Sequence, residues 1–447
     1  MPDLVIRGGT LVTPGAVRPA DLAIEDGFIA ALGPGLPGAA REIDARGLHL
    51  FPALIDVHLH FNEPGRTAWE GAATGSRALA AGGGTLFFDM PLNSTPCTVN
   101  AAGFDRKRAA LEASSIADFG LWGGLVPSSV GEMAELAARG VVGFKAFLCD
   151  SGLPEFPRAD DWTLAEGLRE AARLGLPVAV HAENHEITQA LAQRMAAEGR
   201  RGIRDFLESR PVVAELEAIQ RATLLAGEAG ARLHIVHVSS GRGVVLAAEA
   251  RARGVDVEIE TCPHYLAFTE EDVERLGAVA KCAPPLRDAG EQSALWQELQ
   301  RGTVDLVASD HSPAPPEMKT GDFWRAWGGI AGVQSTLAVL LEHGYHRRGL
   351  PLERIATLVA AEPARRFRIP DRGRLAPGHR ADIALVDLAA AFTLKPGDLL
   401  QRHAISPYLG ACFRGVVRRT IRRGKTIFAE GAITAETRGQ LVRPDTA

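Results

Sequence analysis

The chain has 447 residues, 46% of them hydrophobic, which is ample for a large buried core and excludes disorder. Lys+Arg total 49 against Asp+Glu 54, a net charge of -5 that argues against a nucleic-acid or anionic-membrane partner. No stretch reaches the ~18 apolar residues of a membrane span, the start "MPDLVIRGGT" has no signal-peptide pattern, and five scattered cysteines suit a reducing cytoplasm better than disulfides.

In chain order, residues 1–50 hold short β-runs with Gly/Pro turns, such as "DLVIRGGTLVTPG" and "DLAIEDGFIAALG". From Phe51 eight apolar runs follow: "ALIDVHLH", "TLFFDM", "FGLWGGLV", "VGFKAFL", "PVAVHAE", "LHIVHVSS", "VDVEIETC" and "VDLVASDH". Between them, stretches such as "PVVAELEAIQRATLLAGEAGA" repeat apolar positions at three and four residues, the helical period. Eight strands alternating with helices over about 260 residues predict a (β/α)₈ barrel. After it, "GRLAPGHRADIALVDL" and "VVRRTIRRGKTIFAEG" return to the opening style. The expected architecture is α/β: a barrel over 51–371, with residues 1–50 and 372–447 forming one small β-domain. The basic run "RRTIRRGK", residues 418–425, reads as the wet face of a strand.

Chemistry in such barrels sits at the C-terminal ends of the strands. Strand one ends in His58 and His60, strand four carries Lys145 and strand five His181. Strand six carries His237, and strand eight ends in Asp310 and His311. Alternation gives His58 and His60 a common target. Any one of these histidines alone would read as packing; residues from five strands at one rim read as a site. Imidazole and carboxylate suit Zn²⁺, Mn²⁺, Fe²⁺ or Co²⁺. An ammonium beside a dication is disfavoured, so Lys145 must be neutral or altered. A desolvated amine loses its proton readily and then adds carbon dioxide. The resulting carbamate would bridge two metals about 3.5–4 Å apart, leaving room for a shared hydroxide.

These motifs resemble the amidohydrolase superfamily in its cyclic-amidase branch of dihydroorotases, hydantoinases and allantoinases, and among them the allantoinases most. The resemblance runs from "DVHLHFNEPGRTAWEG" through "FDMPLNS", "GFKAFLCDSG", "HAEN", "HVSS", "CPHYL" and "CAPPLR" to "ASDHSP" and "WGGIAGVQS". It implies a (β/α)₈ barrel with a small β-sandwich built from both termini, and a binuclear centre with Zn²⁺ as the expected ion. His58, His60, carboxylated Lys145 (N6-carboxylysine) and Asp310 would hold one metal, and Lys145, His181 and His237 the other. Asp310 would be general base and then acid. A homotetramer is the implied assembly.

Three substrates compete: allantoin, a hydantoin or dihydropyrimidine, and dihydroorotate. Dihydroorotases resembled here carry an Arg two residues after the second histidine to grip a carboxylate; this chain has Asn62, which favours uncharged allantoin. Hydantoinases place a Tyr five residues after the metal lysine; here Asp150 stands there, leaving Ser151, the loop after strand eight or the metal to meet the oxyanion. Asn93 reads as a ureide contact or a turn residue. His264 faces substrate or packs. Gly328, Gly329 and Gly332 would let backbone approach a flat ring, or make a turn. Residues 313–327 form a candidate lid. The expected function is hydrolysis of allantoin to allantoate; a catalytically silent scaffold is the reading from another class, set against it by the filled ligand positions.

Overall fold

The computed structural model describes residues 1–434 and 437–445, so 435, 436, 446 and 447 of the expected terminal unit lie outside the described residues. The N-terminal strands are β1 (Leu4–Thr13), β2 (Ala16–Glu25), β3 (Phe28–Gly33), β4 (Arg41–Asp44) and β5 (His49–Pro52). Then come β6 (Leu54–Leu59), β7 (Gly84–Asp89), β8 (Asp118–Leu121), β9 (Gly123–Gly124) and β10 (Phe144–Phe147). The next four are β11 (Val178–His181), β12 (Leu233–Ile235), β13 (Val257–Thr261) and β14 (Leu306–Val307). The last are β15 (Ile383–Thr393), β16 (Cys412–Arg422), β17 (Lys425–Ala429) and β18 (Ala432–Ile433).

Strands β6 to β14 pair in parallel and form the expected barrel. The ladders run β6-β7-β8 and β9 through β14, and a parallel bridge between Leu59 and His311 joins the first strand to the eighth. The third predicted strand is split at Trp122, whose indole turns into the barrel and donates to Val57 O at 2.9 Å. Strand eight is short because Ser309 N leaves the ladder for the Asp56 carboxylate, at 3.2 Å.

Period-two alternation sorts the barrel's layers. Val178, Val180, Leu233, Ile235, Val257 and Ile259 join the cluster that includes helix residues such as Ala218, Ile219 and Val244. Their neighbours along the strands, among them Lys145, His181, His234 and Glu260, are buried polar groups. The helix Val212–Ala229 shows why the periodic segments fold as they do. Pro211 precedes its first turn, Gly230 closes it in the left-handed conformation, and Ala214, Ala218, Ile219, Ala222 and Ala226 form its buried stripe.

The two termini share one sheet, in the order β18-β17-β16-β15-β5-β1-β2-β3, with β4 on β1. Leu4, Ile6, Leu22, Ile29, Leu50, Ile383, Leu385 and Ile421 belong to one buried cluster, so the sheet folds onto itself as a small sandwich. One expectation is corrected here: the basic run is not wholly wet. Arg422 is buried and pairs with Asp118 at 2.7 Å, tying the sandwich to the barrel.

Candidate metal centre and active site

Five of the six predicted ligands sit at, one residue before or just beyond the C-terminal end of their strand, and Lys145 lies inside its own. His58 lies in β6 and His60 one residue past it; Lys145 is in β10 and His181 ends β11. His237 lies two residues past β12 and Asp310 three past β14, with φ of 41° and 43°. That left-handed backbone is strained for residues with a β-carbon, of order 1–3 kcal/mol each, and such strain concentrates at functional sites.

The side chains converge. Asp310 Oδ1 is 3.3 Å from His58 Nε2 and 3.5 Å from His60 Nε2. Ring centroids of His58 and His237 are 5.4 Å apart, and those of His181 and His237 4.6 Å. His58, His237 and Asp310 each place a ligand atom within 4.8 Å of the others. Lys145 Nζ is buried beside the Phe147 ring, 5.1 Å from its centroid, with no hydrogen-bond partner. His60 Nδ1 and His237 Nδ1 are also buried and unpartnered.

Charge follows from these surroundings. Burial lowers the Lys145 ammonium to about 8, with Asp310 pulling the other way. His60 is pushed down to about 4 by burial, and His237 well below the usual range by burial, His181 and Lys145. Burial alone would raise Asp310, but His58 and His60 hold it well below the ordinary carboxylate range. The result is an ionised carboxylate, imidazoles at His60 and His237 that burial keeps neutral, and an amine that gives up its proton easily. That donor set, with three orphaned nitrogens, fits divalent cations.

Comparison with known proteins agrees. The model of the amidohydrolase family matches residues 49–427. The chain belongs to the amidohydrolase family. A curated allantoinase from Solibacter usitatus (strain Ellin6076) is 66% identical over 445 residues, covering 99% of this chain and 97% of the relative. One from Rubrobacter xylanophilus (strain DSM 9941 / JCM 11954 / NBRC 16129 / PRD-1) is 59% identical, covering 99% and 98%. Among solved structures, L-hydantoinase (dihydropyrimidinase) from Arthrobacter aurescens superposes with TM-score 0.97 at 34% identity, covering 99% of this chain and 100% of that one. As expected of an amidohydrolase, catalysis is metal-dependent.

Two carboxylates of this amidohydrolase site went unnoticed in the sequence. Glu260 accepts from His58 Nδ1 at 2.7 Å, His234 Nε2 at 2.8 Å and His237 N at 3.1 Å. Glu183 accepts from His181 Nε2 at 2.7 Å and pairs with Arg210. Against the upward pull of burial, these partners hold both acids down to about 2. Ionised, they fix the rings: His58 keeps Nε2 free and His181 keeps Nδ1 free. A detectable signal was present, since Glu258 and Glu260 alternate within a buried strand, where a carboxylate has no reason to be without a partner.

The remaining predicted residues divide. Asn93, Ser151, Gly328 and Gly329 line a cavity of about 420 Å³ over the cluster, together with Asp150, Arg210 and Trp327. Ser151 Oγ is committed to its own loop, donating to Phe156 O at 2.6 Å. Asn93 has φ 66°, so the turn reading and the cavity reading both hold for it. Asn62 and His264 do not line the cavity. Asn62 has φ 63° and donates to Pro313 O at 3.4 Å, a turn residue behind the wall. His264 lies buried near Asp310, both ring nitrogens unpartnered. Gly332 donates its N–H to His311 Nδ1 at 3.1 Å and is likewise structural.

Proposed function

We propose that this chain opens the ring of allantoin by hydrolysis of a cyclic amide, giving allantoate, a step of purine breakdown. The observation that carries the reading is an unpartnered, easily neutralised Lys145 among four histidines and an ionised Asp310, in a chain that matches curated allantoinases end to end. His58, His60, carboxylated Lys145 and Asp310 would hold one ion; Lys145, His181 and His237 would hold the other. Two divalent ions there, Zn²⁺ first among candidates, supply an acidified water and a Lewis acid for the carbonyl. Carbon dioxide is needed for the lysine carbamate.

The protein's own residues carry the protons. Asp310, ionised at neutral pH, accepts the proton of the attacking water and returns it to the ring nitrogen as the C–N bond breaks. Water's oxygen stays on the carbonyl carbon as a carboxylate. Asn93 and Gly329 are the proposed ureide contacts; Ser151 lines the cavity with its hydroxyl committed to its own loop, and Asn62 and His264 lie outside the lining.

We place the domain boundaries at 1–50 with 372–447 and at 51–371, noting that β5 ends at Pro52. A homotetramer in a reducing cytoplasm fits the family resemblance and the five free cysteines; among the described residues no helix is long and apolar enough to cross a membrane. The test is a substrate panel with metal analysis on one sample. Allantoin should open fastest, with two ions per chain. Far faster opening of hydantoin or dihydroorotate would overturn the substrate.

A further inference from the structure

The cavity is closed on one side by segment 323–329, which contains no helix or strand. Two ammonium groups hold it. Lys281 Nζ donates to the carbonyls of Phe323 at 2.7 Å, Trp324 at 3.2 Å and Ala326 at 2.7 Å. Lys319 Nζ donates to the carbonyls of Ala278 at 3.3 Å, Trp327 at 2.9 Å and Gly329. An ammonium has three donors, so each is saturated by peptide oxygens, and five of the seven carbonyls in the segment end on a lysine. Among the described residues neither lysine forms an ion pair. Lys281 also lies 4.6 Å from the Phe206 ring centroid and 5.2 Å from that of Phe323.

Holding one buried and one half-buried cation with only carbonyls to answer them is a costly way to make a turn. Burial pushes Lys281 down to about 8 and Lys319 to about 7. What the arrangement secures is shape. Trp324, Ala326, Trp327 and Gly329 line the cavity, and their carbonyls are drawn onto the lysines. Gly329 N is held by Lys281 O at 2.8 Å and Trp327 N by Met318 O at 2.8 Å. A segment tied at this many points is a wall already formed when substrate arrives, which saves the ordering cost of a closing loop.

We propose that Lys281 and Lys319 are positioning residues that hold segment 323–329 as a preformed roof, setting the fit of the cyclic substrate without a closing movement. The sequence suggested a lid over 313–327, which overlaps this segment; a preformed roof covers the site without the closing movement of a lid. Only the identity of the substrate is taken from the ring-opening reading above.

Lys281→Met and Lys319→Met keep the chain length and remove the donors. Each should raise KM by ~10-fold or more while kcat stays within ~3-fold and metal content stays that of wild type. Trypsin should cut after Arg325 faster than in wild type, and Lys→Arg at the same positions should restore resistance and most of the KM. An unchanged KM in both Met variants, or unchanged resistance at Arg325, overturns the proposal. If the variants do not fold, amide exchange on wild type decides. Amides 324–329 should be protected in the free enzyme as in the presence of the substrate analogue hydantoin. Protection that arises only with the analogue would mean a closing lid and overturn the roof. A wild type that leaves allantoin intact sinks the substrate assignment alone, because the cleavage and exchange readouts stand without it.

Discussion

Two buried charge clusters lie at opposite strand ends of the same barrel, and they differ in whether each charged group meets an opposite charge. At the first residue of β8, both oxygens of Asp118 are taken: Arg372 at 2.6 Å, Arg422 at 2.7 Å, Arg423 at 3.1 Å and Gln440 N at 2.9 Å. Arg372 pairs in turn with Asp382. At the other end, Lys145 Nζ, His60 Nδ1 and His237 Nδ1 have no partner, and Asp310 sits on strained backbone. Buried polar groups in a finished structure are answered by other protein groups. A cluster that leaves its amine unanswered is waiting for something the chain does not supply.

The sharpest way to break that contrast is Lys145→Ala. If Lys145 holds the ions as proposed, activity should fall by ~10³-fold or more with their loss, and short-chain carboxylic acids should restore part of it. Metal content and turnover are the readouts. A variant that still binds two ions would place Lys145 with the structural groups.

Asp310→Asn comes next. It keeps an oxygen donor at the same place and removes the proton shuttle, so turnover should drop ~10²–10⁴-fold while most of the metal stays. Wild-type-like rates would take Asp310 out of proton transfer.

The contrast also explains what was legible beforehand. Alternation and helical period placed the eight barrel segments, since a parallel barrel repeats one pattern. The six proposed ligands stood out because each is a polar residue in or just past a buried strand with no packing reason to be there. Glu183, Glu260 and His234 were not, because each has a packing reason: it satisfies a neighbour, and only the fold shows which. Arg422 was misplaced for a related reason. Strand alternation shows that a side chain turns in, but not that Asp118, some three hundred residues away in sequence, waits to neutralise it. Asn62 occupies the position that distinguishes the dihydroorotases, yet its φ and its bond to Pro313 O make it part of the wall.

Asp118→Asn probes the ion-paired cluster. Removing one charge leaves buried guanidinium groups uncompensated, at a cost of about 3–5 kcal/mol. The urea midpoint should fall, while metal content and kcat of the folded fraction stay as in wild type. Loss of metal with unchanged stability would mean that the two clusters are not separable.

The smallest expected effect is a pH dependence of imidazole origin, which the mouth cluster can give and the Asp118 group, containing no imidazole, cannot. Burial holds His60 at about 4 in the folded chain, whereas an unfolded histidine titrates near ~6.5. Between those values the unfolded chain binds the proton and the folded chain does not, so stability falls as the pH falls through that window and is unaffected above it. Metal-stripped protein should therefore show a lower urea midpoint at pH 5 than at pH 7. His60→Asn, neutral at every pH, should remove part of that difference. An identical slope in the variant would mean that His60 takes up its proton without cost, and the neutral-ligand description of this rim would be wrong.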